Sequence, residues 1–175
     1  VAPDMDRIDR EAEYPLRTVK MLGELGYLGM PFPKEYGGGE IDYLRYVMAV
    51  EEMSKICPSH GVIIQTHNAL CCWPIFTYGT EEQKRKYLPK LLRGEHIGCF
   101  GLTEPNAGTD AAMQQTIAVD CGDHWVLNGS KMFISGGAVA DVAVVMAMTD
   151  KSKGTKGISA FIVEKTFPGF YTGKT

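Results

Sequence analysis

The 175 residues contain no Cys-x-x-Cys pair, no nucleotide-binding glycine loop and no long apolar run, and each absence removes a class of function. The five cysteines (Cys57, Cys71, Cys72, Cys99, Cys121) are odd in number and two are adjacent, which argues against a disulfide framework or a zinc site. A reducing compartment fits them: the cytoplasm or, in a eukaryote, the mitochondrial matrix. His60, His67, His96 and His124 lack the spacing of metal ligands. Gly23, Gly26 and Gly29 follow no strand and are spaced G-x-x-G-x-x-G, so they read as helix termination rather than a Rossmann fingerprint. Gly37-Gly38-Gly39 and the lysines Lys151, Lys153 and Lys156 form no Walker motif; a loop and a solvated turn are expected. No stretch approaches the roughly 20 apolar residues of a membrane span, so no membrane insertion is expected. The start, Val1-Ala-Pro-Asp4, does not look like a signal or transit peptide. A net charge of -3 gives no general attraction to nucleic acid, so none is expected as a partner.

What is present is an ordinary globular composition, 45% hydrophobic and 22% charged. The first half reads as helical. Leu16, Val19, Leu22 and Leu25 recur at helical spacing up to a stop at Gly26. A Pro/Gly-rich loop over 30–40 precedes a helix capped by Asp42, with Leu44, Val47, Met48 and Met53 expected to face inward. Residues 59–78 are apolar on most sides and read as a buried helix broken near Pro74. Thr80-Glu-Glu-Gln83 forms a capping box, Glu82 and Lys86 stand at i,i+4, and Leu88, Leu91 and Leu92 make the buried face.

Near His96 the pattern changes to short runs rich in Val, Ile, Phe and Thr: 97–102, 115–121, 124–127, 131–135, 142–148 and 158–164. Asn128-Gly129, with positive φ at both positions, is expected to close a hairpin between 125–127 and 131–134. On a strand over 131–135, Phe133 and Ser135 would share one face. About six strands would leave a long free edge, and the last residues, 170–175, alternate like a strand. With no initiator Met, this pattern suggests a piece of a longer protein.

Two segments carry the candidate chemistry. In Cys99-Phe-Gly-Leu-Thr-Glu-Pro-Asn-Ala-Gly-Thr-Asp110, Pro105 fixes φ, Gly108 allows positive φ and Thr103 and Thr109 add hydroxyls; Lys131-Met-Phe-Ile-Ser-Gly136 adds a ring and a hydroxyl. Residue types alone favour a plain hairpin loop with Asp110 as a cap, beside a core Phe.

Order and spacing shift that balance. Leu102-Thr-Glu-Pro-Asn-Ala-Gly-Thr-Asp110 resembles a signature of the acyl-CoA dehydrogenases, which usually ends in Gly-Ser-Asp. Asn128-Gly-Ser-Lys-Met-Phe-Ile-Ser-Gly136 resembles a second segment, in which many relatives have Trp at the position of Phe133 and Thr at that of Ser135. Pro33-Lys-Glu-Tyr-Gly-Gly38, Tyr78-Gly-Thr-Glu-Glu-Gln-Lys-Arg-Lys-Tyr-Leu-Pro89 and Phe167-Pro-Gly-Phe170 match in order as well, so the resemblance spans nearly the whole chain.

The resemblance implies an α+β architecture: an N-terminal all-α bundle (1–95) and a middle β-barrel or β-sandwich domain (96–175, incomplete), with the C-terminal helical domain absent. It implies FAD held by Phe100, Leu102, Thr103, Thr109, Phe133, Ile134 and Ser135, with Thr109 also near the acyl-CoA substrate. It further implies α,β-dehydrogenation of acyl-CoA thioesters, electron-transfer flavoprotein as acceptor, and a homo-oligomer in the full-length form. The family's base is a Glu of the C-terminal domain, so no catalytic residue is assigned here and the chain alone is expected to be inactive. The segment 63–72, with Ile63, Ile64, Gln65, His67 and Leu70, and Trp73 beyond it, corresponds to a helix that floors the acyl cavity in relatives, and its bulk suggests a short one. Two other readings remain open: an acyl-CoA oxidase or flavin monooxygenase of the same fold, and a non-enzymatic partner-binding module.

Overall fold

Polar caps and apolar spacing decide where the helices begin and end. In the computed structural model, which describes residues 1–173, the described residues form six α-helices: α1 (Met5–Glu11), α2 (Leu16–Glu24), α3 (Tyr43–Ile56), α4 (Pro58–Gln65), α5 (Trp73–Tyr78) and α6 (Glu81–Leu92). Asp42 caps α3 by accepting from the Arg45 N–H at 3.0 Å. Thr80 and Gln83 form the full reciprocal capping box on α6. Gly26, at φ 85°, follows α2 as anticipated.

Three details of the helical half differ from expectation. Leu25 is exposed, because α2 ends before it. On α3, Leu44, Val47 and Met48 face solvent, and Tyr46, with Val50 and Met53 packed beside it, faces the core. Two apolar stripes run along that helix, and period alone does not choose between them. Lys86 pairs with Glu164 at 2.7 Å rather than with Glu82, while Glu81 takes Lys84 and Arg85.

The long apolar run is broken earlier than Pro74 alone would require. Between α4 and α5 the chain widens into a π-helical segment, Thr66–Cys72. Pro74 has no N–H and its ring crowds the carbonyl four residues back, so a wider turn just before it relieves the clash.

The remainder forms one mixed sheet of five strands among the described residues: β1 (Gly98–Gly101), β2 (Ile117–Asp120), β3 (Trp125–Asn128), β4 (Val142–Met148) and β5 (Ile158–Glu164). β4 runs parallel to β1 and antiparallel to β5, and meets β2 in parallel at Met148. A closed barrel or second sheet is not completed within these residues, and 170–173 form no strand; Lys174 and Thr175 lie outside the described residues.

The hairpin is displaced from where Asn-Gly suggested. β3 pairs backward with β2 through the turn 121–124, where Gly122 has φ 93°. Gly129 does not take positive φ; its Cβ would lie 2.2 Å from Thr116 Oγ1, so it is there for close approach. After it the chain leaves β3 altogether, and 131–135 is not a strand.

Alternation along β4 joins the two halves. Val142 and Val144 enter a core with Cys71, Cys72, Ile75, Leu88, Leu91 and Leu92 of the helices. Ala143 turns the other way, to Cys99 and Ala140. Burying each of those leucines contributes roughly 2 kcal/mol, so helices and sheet share one apolar contact surface. No helix among the described residues is long and apolar enough to cross a membrane.

Candidate functional site

The loop after β1 and the segment after β3 meet where the Met132 N–H donates to the Thr103 carbonyl at 2.9 Å. One residue earlier, Lys131 reaches into the same junction. Its Nζ donates to the Leu102 carbonyl at 3.0 Å, to Glu104 Oε1 at 2.7 Å and to Gln114 Oε1 at 3.2 Å. Three ammonium protons thus find three acceptors. The Glu104 carboxylate also accepts the Gln115 N–H at 2.5 Å and the Thr116 N–H at 3.0 Å.

The Lys131 and Glu104 side chains are only 10% and 5% exposed, so the pair has given up most of its hydration. Such a pair is favourable only when further hydrogen bonds satisfy both groups, which is the case here. Burial by itself pushes the Glu104 carboxyl up, but hydrogen bonds from Lys131, Thr116 and Gln115 outweigh it and hold the group at about 2. Glu104 is therefore a fixed carboxylate near neutral pH. No role was assigned to either residue from the sequence, although both stand inside the quoted motifs. The available signal was an ionisable residue in each of two segments that otherwise run to apolar and turn residues.

The structure brings some of the predicted site residues together. Leu102 and Thr103 are half-buried, with their carbonyls held by Lys131 and Met132, and so lie beside Phe133. Phe133 is 85% exposed and has φ 57°, a left-handed conformation that a large side chain rarely adopts. Ser135 is also exposed, while Ile134 between them packs toward Cys99, Ala140 and Ala143. Ring and hydroxyl thus both face outward although no strand aligns them. The tether to Thr103, rather than pairing with β3, sets this geometry.

Other predicted positions fall elsewhere. Phe100 is half-buried against the core shared by helices and sheet. Thr109 is exposed, beyond a tight turn closed by reciprocal backbone bonds of 3.1 Å between Glu104 and Ala107. Among the described residues no hydrogen bond links Thr109 to 131–135. Gly108 does not use positive φ, so the turn owes its shape to Pro105 and the Glu104–Ala107 pair instead. Among the described residues, the hydroxyls of Thr103, Thr109 and Ser135 make no hydrogen bond within the chain.

His67 supports the site from behind. It sits in the π-helical segment, 2% exposed, and its Nδ1 accepts the N–H of Gly98, the first residue of β1, at 3.1 Å. Its Nε2 must then carry the proton and donates to the Leu91 carbonyl at 3.1 Å. Burial lowers the imidazole to about 4, so it is neutral near pH 7. This ring ties the end of α6 to the strand that leads into the loop. In the segment 63–72, Ile63, Ile64 and His67 are buried, Leu70 is half-buried and Gln65 is exposed.

The chain matches two known families along nearly its full length: "Acyl-CoA dehydrogenase, N-terminal domain" over residues 1–95 and "Acyl-CoA dehydrogenase, middle domain" over residues 99–175. The short-chain specific acyl-CoA dehydrogenase of Clostridium acetobutylicum is 57% identical over 174 residues, which are 99% of this chain and 46% of that protein. The structure of butyryl-CoA dehydrogenase from Megasphaera elsdenii superposes with a TM-score of 0.94 at 47% identity, covering 99% of this chain and 46% of that one. A chain in the structure described as electron transferring flavoprotein of Acidaminococcus fermentans gives 0.96 at 51% identity, with the same coverage. The chain therefore spans about half the length of the relatives it matches.

Proposed function

The chain belongs to the acyl-CoA dehydrogenase family, and we propose that it supplies one wall of an FAD site at which an acyl-CoA thioester is oxidised between its α and β carbons. One observation carries this reading: Phe133 is held in a left-handed conformation with its ring 85% exposed, next to a loop whose threonine hydroxyls are unpaired among the described residues. An exposed Phe in a costly conformation is poorly explained by packing. A flat heterocycle with hydrogen-bonding edges fits it, because the ring offers a stacking face and Thr103, Thr109 and Ser135 offer hydroxyls.

When bound, a flavin supplies the hydride acceptor that no side chain provides. This chain's own contribution is to orient and cover. The Phe133 ring excludes water from one side, Ser135 and Thr103 donate to ring edges, and Thr109 stands nearer the acyl-CoA. Glu104 is unsuited as the base for the α-proton: it is held at about 2 and its oxygens are engaged. The base is read as a carboxylate elsewhere in the full-length protein, and this chain alone as inactive.

Electron-transfer flavoprotein is the proposed acceptor. The solvent-facing Leu44, Val47 and Met48 support burial against further protein, read as a homo-oligomer of the full-length form. Five free thiols support a reducing compartment, the cytoplasm or mitochondrial matrix. The test is the visible spectrum of the full-length protein. Flavin absorbance that bleaches anaerobically on adding butyryl-CoA is expected; protein that stays colourless after addition of FAD would overturn the reading.

A further inference from the structure

We propose that Glu104 and Lys131 are positioning residues for the flavin, a buried ionic staple that sets the distance between the two segments of the flavin wall. The proposal rests on the FAD reading above and adds two residues that touch neither ring nor substrate. Three stretches of chain converge on the pair: Leu102 and Glu104, then Gln114 to Thr116, then Lys131 and Met132. These stretches come from the loop after β1, the entry to β2 and the exit from β3, and no strand pairing joins the first to the last. Among the described residues, the hydrogen bonds that join residues 102–104 to residues 131–133 are those of the staple and the single Met132 to Thr103 bond. Gly101 lets the aliphatic stem of Lys131 pass: a Cβ there would stand 3.3 Å from Lys131 Cγ.

A pair that served stability alone would be replaceable by neutral groups of similar shape. A pair that positions the wall would not, because a methionine in place of Lys131 cannot hold the Leu102 carbonyl. The double variant Glu104→Gln/Lys131→Met separates the two roles. The Gln115 and Thr116 N–H groups bond to different oxygens of Glu104, so the new amide keeps one of them through its single side-chain oxygen, and the new thioether leaves no buried charge behind.

The experiment compares wild type, Lys131→Met and the double variant in the full-length apoprotein, by FAD titration and by hydrogen exchange at the Met132 amide. The double variant should keep the wild-type circular dichroism yet bind FAD about tenfold more weakly, the worth of one charge-assisted hydrogen bond. Its Met132 amide should also exchange about tenfold faster. Wild-type FAD affinity together with wild-type amide protection in the folded double variant would overturn the proposal while leaving the flavin reading intact. If wild type itself takes up no FAD, the flavin reading falls and the proposal with it. Should both methionine variants fail to fold, Lys131→Arg carries the test. Its planar fork keeps the charge but cannot meet all three acceptors, so undiminished FAD affinity there would overturn the proposal.

Discussion

Acidification should loosen this protein through His67. The ring accepts from the Gly98 N–H and donates to the Leu91 carbonyl, so a second proton would have to enter on Nδ1, facing a donor, in a site 2% exposed. Its folded-state value is lowered to about 4 from an ordinary value of 6.5. In that interval the unfolded chain binds the proton more readily than the folded one, so stability is full above about pH 6.5 and falls as the pH drops toward 4. At about 1.36 kcal/mol per pH unit, the whole window is worth roughly 3 kcal/mol, of which about 1.3 kcal/mol is lost between pH 7.5 and 5.5. The assay is urea unfolding of wild type and His67→Gln at those two pH values. Carboxylates and His60 titrate alike in both proteins and cancel in the difference. The advantage of wild type over the variant should therefore shrink by about 1.3 kcal/mol at the lower pH. An advantage that stays constant would show that His67 does not titrate as its bonding requires.

Gly23→Ala should destabilise by about 2 kcal/mol or more in thermal unfolding, despite alanine's better helix propensity. The new Cβ would lie 2.6 Å from the Gly94 Cα and 2.8 Å from the Arg93 carbonyl, backbone that cannot step aside. Phe133→Gly should leave the apoprotein at least as stable, since it removes an exposed ring and a left-handed φ of 57°, yet weaken FAD binding in the full-length protein. Unchanged affinity would remove the ring from the site. In native protein one cysteine, Cys121, should react with Ellman's reagent, and the other four only after denaturation, because Cys57, Cys71, Cys72 and Cys99 are buried. Burial also pushes the Cys99 thiol up to about 12.

How far the site could be read beforehand differs between its two segments. The loop 102–110 follows a strand and carries its own turn chemistry, so local pattern located it. The segment 131–135 also had strand composition, and an Asn-Gly pair stood before it. Both local cues were outweighed by Lys131, whose ammonium finds its acceptors on the other loop.

Local signals, which act over a few residues, determined the helical first half, the Thr80 and Asp42 caps, the stop at Gly26 and the change to strands near residue 97. Tertiary structure decided which stripe of α3 is buried, where the hairpin closes, how Phe133 is presented and which charges are paired. Those outcomes depend on partners far along the chain: Glu104 lies 27 residues from Lys131, and His67 31 from Gly98. A buried charge takes whatever acceptors the fold brings to it, and periodicity in a sequence carries no record of which those are.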